Sequence, residues 1–245
     1  MDKQLSYTAG LSVETSKDTE SFAKGLNGYK LVWIFVICSI MGYLVEMGWC
    51  YLYHGFFESR KSLLYGPFSI IYGIGAVLVV KLVDKLKNQK NLTIFMVAAM
   101  FGTAFEYICS VLQELIFGSV SWDYSGKPFT IGGRASLIFS IGWGVLAIFV
   151  LRTLLPKLNQ FIESIPNHSG RIITWVVIVF MAGDLFLSAA AVLRQNERRD
   201  GIPPSSRFEQ FLDDHYPDEF LNQVYVNMRI AGTRLIRDDD GRVVK

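Results

Sequence analysis

The stretch KLVWIFVICSIMGYLVEMGWCYL, residues 30–52, decides the fold class. Between Lys30 at its edge and Leu52 the one charged side chain is Glu46. A helix needs about 20 mostly apolar residues to cross the hydrocarbon core of a bilayer. Four more stretches answer that description: Leu64–Val83, Leu92–Phe117, Ser136–Leu155 and Ile172–Leu193. Pro156 is expected to stop the fourth, and the polar run NERRD to end the fifth. The expected fold is therefore all-α, a polytopic membrane bundle of five transmembrane helices.

Composition agrees. Hydrophobic residues make up 51% of the 245-residue chain and charged residues only 19%, against about 25% in soluble domains. Mean hydropathy is +0.31, and the charges crowd into a few stretches, a segregation that a bilayer demands. A net charge of +2 gives no reason to expect a nucleic-acid partner. Cys38, Cys50 and Cys109 all fall in apolar runs without C-x-x-C spacing, so they read as small packing residues. No metal or cofactor is expected. The first 29 residues lack an apolar h-region, so the first membrane helix is expected to serve as its own insertion signal.

The domain plan that follows is a polar arm (1–29), a transmembrane domain (30–193) and an amphipathic tail (194–245). In the tail, Phe208, Phe211 and Leu212, then Phe220, Leu221, Val224, Tyr225 and Met228, have helical spacing, which predicts two short amphipathic helices. Lys and Arg concentrate in the arm and in the second and fourth connections, favouring an N-terminus on the cytoplasmic side. Arg194, Arg198, Arg199 and Arg207 in the tail weaken that bias.

The transmembrane domain carries an internal echo. GYLVE (42–46) returns as GTAFE (102–106), an offset of 60, and GPFSIIYGIG (66–75) aligns with GRASLIFSIG (133–142), an offset of 67. This predicts a tandem hairpin repeat, about 30–83 and 92–155, with 172–193 as an extra helix. Two-helix units keep the same membrane orientation, so the repeat would be parallel.

Glu46 and Glu106 stand out chemically. An ionised acid at mid-bilayer costs about 2.5–3.5 kcal/mol on insertion scales, so it faces a partner or a wet cavity. Helical spacing puts Gly42, Glu46, Trp49 and Tyr53 on one face, and Gly102, Glu106, Ser110, Gln113 and Glu114 on another. Arg134 and Arg60 are the candidate counter-charges, and Asp184 is a third intramembrane acid. Two readings stay open: a buried ion-pair cluster that holds the bundle together, or a site for a small-molecule substrate, an ion or a proton. The loop SWDYSGKPFTIGGR (121–134) is expected to fold back toward these acids. The chain has no H-E-x-x-H, no G-x-S-x-G and no phosphate-binding loop, so an enzyme is the less favoured class and ATP hydrolysis would need another subunit.

GYLVEMGW, LLYGPFSIIYGIGA and FEYICSVLQELIFGSVSWDYSGKPFTIGGRASLIFSIGWG resemble the bacterial CmpB-like family of type IV ABC-transporter permeases, over residues 30 to about 230. The resemblance implies a multi-pass, permease-like protein of the bacterial plasma membrane working with a separate ATPase subunit. Its polar positions fall on Glu46, Tyr72, Glu106, Asp123, Tyr124 and Arg134; SRKSLL replaces the usual N-R-G-F-L before YGP, and Thr130 an expected Asn. The leading expectation is a transport component with an intramembrane carboxylate site comprising Glu46, Glu106, Arg134, Arg60, Asp123, Tyr124, Tyr72 and Asp184. The alternatives are a membrane-embedded enzyme acting on a lipid or isoprenoid, and a non-catalytic scaffold or sensor.

Overall fold

The computed structural model describes residues 20–86, 88–233, 236–237 and 243–244. Most of the expected N-terminal arm, residues 1–19, and parts of the last dozen residues lie outside them. Four helical stretches are long and apolar enough to cross a membrane: Gly28–His54, Asn91–Phe117, Leu137–Glu163 and Asn167–Arg199. The first is α1, closed by Gly55 in the left-handed region (φ 83°), where a side chain would be strained. The second is α3, which ends the same way at Gly118 (φ 58°).

The expected helix over Leu64–Val83 takes a different form. Residues 57–69 run irregularly, with Glu58, Leu63, Leu64, Phe68 and Ser69 buried, and α2 covers Ile70–Leu86, 17 residues. Pro67 disfavours helix at Gly66, which turns at φ 70°. Buried irregular backbone must still find partners. Ser69 N–H donates to the Ser39 carbonyl (3.0 Å), Leu64 N–H to Ser188 Oγ (2.9 Å) and Tyr65 N–H to Asp184 Oδ1 (3.3 Å).

The fourth apolar stretch does not stop at Pro156. Helix α4 (Leu137–Phe149) passes through a π-helical turn, Val150–Leu154, into α5 (Leu155–Glu163). The Leu155 N–H reaches back to the Val150 carbonyl, so Pro156 sits in the opening turn of α5, where its missing N–H leaves the preceding π turn intact. Helix α6 (Asn167–Arg199) likewise continues through the polar NERR run and ends only at Arg199.

Helices α7 (Arg207–His215) and α8 (Asp218–Val224) follow. They pack on the C-terminal half of α6 through Leu212, Tyr216, Leu221, Val224 and Tyr225, together with Leu64. Arg194, 2% exposed, grips Asp213 with two bonds of 2.9 Å, and Arg198 bonds Asp213 and Asp218 at 2.6 Å. Strand β1 (Ser119–Val120) pairs antiparallel with β4 (Arg229–Ile230), tying the tail to the loop after α3. A tight hairpin joins β2 (Thr130–Ile131) to β3 (Ala135–Ser136). At the opposite end, Phe22 and Ala23 pack with Ile34, Val80, Leu158 and Ile162.

Glycines set the closest helix approaches. A Cβ at Gly42 would lie 2.3 Å from Tyr72 Cγ, and one at Gly102 would lie 2.3 Å from Trp143 Cγ. A Cβ at Gly73 would lie 2.6 Å from the Phe35 carbonyl oxygen, and one at Gly144 would lie 2.9 Å from that of Phe95. Large apolar side chains such as Leu44, Val45, Met100, Leu115, Val176 and Val179 remain exposed around the helices. Such a continuous apolar surface suits lipid rather than water.

Candidate functional site

The inward face of α1 runs through Ser39, Gly42 and Cys50, with Glu46 half-buried between them. Trp49 and Tyr53, assigned to that face by spacing, point outward instead, at 67% and 75% exposure. They stack on each other, with ring centroids 6.4 Å apart. Because Gly42 has no side chain, Tyr72 of α2 packs against α1 and its phenol hydrogen-bonds Glu46.

Glu106 lies on α3 and is 7% exposed. The Tyr124 hydroxyl donates to its Oε1 at 2.8 Å. Oε2 is buried without a well-formed hydrogen bond among the described residues, although the Trp143 indole is directed at the same carboxylate. Tyr124 is held by stacking on Phe139 (centroids 4.7 Å apart) and by its N–H bond to the Gly133 carbonyl (2.7 Å). Burial, then the neighbouring Glu106, push the Tyr124 hydroxyl well above its ordinary range, so it stays protonated and keeps donating.

Tyr72 lies in the electrostatic reach of Glu46, Glu106 and Arg60, and Tyr124 in that of Glu106, Tyr72 and Glu46. Glu46 with Tyr72 and Glu106 with Tyr124 are thus two hydrogen-bonded pairs within electrostatic reach of each other, with Arg60 beside the first. Arg60 Nε donates to Cys50 Sγ (2.9 Å) and Nη2 to Glu58 (2.8 Å).

Other expected members are elsewhere. Arg134 bonds Ser110 Oγ (3.1 Å) and pairs with Glu114, about two turns along α3 from Glu106. Asp184 accepts from Tyr65 N–H and Ser188 Oγ (3.2 Å) and so anchors the irregular segment before α2. Asp123 accepts from both the N–H and Oγ of Ser125 (2.8 and 2.6 Å) and pairs with Arg229 of β4 (2.8 Å). The Ser125 hydroxyl, then Arg229, hold its carboxyl down at about 2.

One grouping escaped the spacing search. Cys50, His54 and Glu58, at i, i+4 and i+8, each offer a donor atom within 4.8 Å of the others. Sulfur, nitrogen and carboxylate donors suit a borderline divalent ion such as zinc. Arg60 already bridges Cys50 and Glu58, placing a cation in that position. Helical i, i+4 spacing would have paired Cys50 with His54, but Glu58 lies beyond the Gly55 cap in the irregular segment, where no helical spacing reaches it.

Against known proteins, a family model described as "Putative ABC-transporter type IV" matches residues 33–189, more than half of the chain. No curated protein and no solved structure matches it.

Proposed function

This chain belongs to that type IV ABC-transporter family, and on this premise we propose that Glu46 and Glu106 form its intramembrane solute site. With four bilayer-length apolar helices, it is a membrane transport component. The observation that carries the site is the cluster Glu46–Tyr72–Glu106–Tyr124, built from two hairpins inside the matched region. Two carboxylates in an apolar bundle, each with a phenol donor, suit a cationic or hydrogen-bond-donating solute.

The bundle is read as five passes and a parallel repeat. Residues before α2 pack with the tail, whereas Val80 near its end packs with Phe22, so α2 would cross between the two ends. Helix contacts support the duplication but shift its second half. Phe35 and Phe95, like Gly42 and Gly102, differ by 60 positions, whereas their partners Gly73 and Gly144, like Tyr72 and Trp143, differ by 71. At that offset Phe68, Ser69, Ile70, Gly73, Ala76 and Val79 recur as Phe139, Ser140, Ile141, Gly144, Ala147 and Val150. This register replaces the 67-residue alignment. A separate ATPase would dock on the cytoplasmic side of a plasma-membrane complex, at the lysine-rich end holding Lys81, Lys85, Lys90 and Lys157.

The experiment is complementation of a deletion strain, with solutes in cells and medium profiled without choosing a substrate beforehand. The Glu46→Gln, Glu106→Gln double variant, present at normal membrane levels, should reproduce the deletion profile. A double variant that restores the parental profile removes the site. An affinity-tagged chain should also retain an ATPase subunit through purification.

A further inference from the structure

We infer that a second binding site, at the opposite end of the bundle from the carboxylate cluster, holds a zwitterion with a primary ammonium and an anionic phosphate: the chemistry of an ethanolamine phospholipid headgroup. It does not depend on the proposed transport site. A cavity of about 300 Å³ lies between the start of α1, the end of α2 and the α4–α5 stretch, lined by Lys30, Val80, Asp84, Leu151, Asn159 and Glu163 among others. That volume falls at the small end of ligand pockets.

Its position sets the level in the membrane. Lys30 is the third residue of α1, just after the polar cap Asn27, and Asp84 lies near the end of α2. Trp33, whose indole donates to Thr174 Oγ1 at 2.9 Å, lies one turn deeper. The cavity is therefore at the headgroup boundary, where charged groups and Trp or Tyr meet apolar walls. Val80, Leu151 and Leu155 supply an apolar wall that the first carbons of an acyl chain would follow. Leu151 belongs to the π-helical turn, a backbone irregularity frequent at binding sites.

The polar groups select the ligand. Lys30, 3% exposed, has three N–H donors, of which Glu163 takes one. A phosphate oxygen would satisfy the others. Asn159 Oδ1 is buried without a hydrogen bond among the described residues, so it calls for a donor. Beside Lys30 the lining offers the Glu163 carboxylate and the Asn159 acceptor, which favours a ligand whose other end is a cationic donor. A primary ammonium donates N–H to Asn159; the quaternary ammonium of choline has none to give.

The test uses the purified full-length chain in nanodiscs of mixed ethanolamine and choline phospholipids, with retained lipid counted by native mass spectrometry. Soluble phosphoethanolamine and phosphocholine are compared in parallel by thermal shift. A charge-assisted hydrogen bond corresponds to about a tenfold preference or more for ethanolamine over choline. Asn159→Leu should abolish that preference, and the isosteric Glu163→Gln should weaken it several-fold. Retention of ethanolamine lipid alone identifies a membrane source, whereas stabilisation by soluble phosphoethanolamine identifies a free solute; each supports the site. Equal retention of both headgroups with no effect of either soluble compound overturns it. So does a preference that both variants leave unchanged.

Discussion

Replacing Gly144 by Ala, with Gly142→Ala as its control, separates a true helix contact from a glycine that merely resembles one. A Cβ at position 144 would lie 2.6 Å from Phe95 Cδ2 and 2.9 Å from the Phe95 carbonyl oxygen, while one at 142 would meet nothing within 4 Å. The carbonyl belongs to the backbone of α3 and cannot swing aside. Helices α3 and α4 must then part by about half an ångström, the sort of overpacking that costs about 1–3 kcal/mol. Both variants gain the same helix propensity, up to about 1 kcal/mol over glycine. Their difference therefore isolates the packing cost, with Gly144→Ala less stable by about 1–3 kcal/mol. Reversible unfolding in mixed micelles, driven by added SDS and followed by tryptophan fluorescence, measures it. Gly73→Ala, facing the Phe35 carbonyl at 2.6 Å, should behave like Gly144→Ala. Equal stability of the two alanine variants at 142 and 144 would refute the contact and, with it, the 71-residue register.

Three further outcomes follow from contacts on α6 and the tail. Asp123, held at about 2 through Ser125 and Arg229, favours the folded state above the ordinary carboxylate range; that contribution fades as pH falls through about 2. Hydrogen exchange at β1 and β4 should accelerate over that window, more in wild type than in Asp123→Asn. Arg194→Gln removes the buried guanidinium that orders Asp213 and the Ile202 carbonyl, an expected loss of about 1–3 kcal/mol, read as faster limited proteolysis of residues 200–233. Thr174→Val deletes the acceptor of the Trp33 indole and should cost about 0.6 kcal/mol in the micelle assay, as interhelical bonds in membranes do on average.

Apolar length alone made the four candidate spanning helices legible, because the bilayer constraint acts on composition before packing. The beginning of α2 was not, since Leu63 and Leu64 are as apolar as a helix would require. Their irregular backbone is stabilised by Asp184 and Ser188, more than a hundred positions away. Pro156 misled for a related reason: the π turn before it shifts the hydrogen-bond ladder by one residue. The proposed repeat rests first on α1 and α3, where glycine and glutamate recur together. On the returning helices the 67- and 71-residue offsets differ by four, close to one turn, so both keep the same face inward. Only the neighbour distinguishes Gly144 from Gly142: a Cβ at 144 would meet Phe95, and one at 142 nothing within 4 Å. For the site, spacing gave the two acids and the loop bearing Tyr124. It could not show that Arg134 turns to Glu114, because an arginine's reach covers several acids on one face.

Whether Glu46 and Glu106 act as one site is decided by a double-mutant cycle. Once solute profiling has identified a transported compound, its uptake is compared in Glu46→Gln, Glu106→Gln and the double variant at matched membrane levels. One shared site predicts that each single change lowers uptake by about tenfold or more and that the double change costs little beyond either. Losses that multiply, or a single variant with parental uptake, would contradict it.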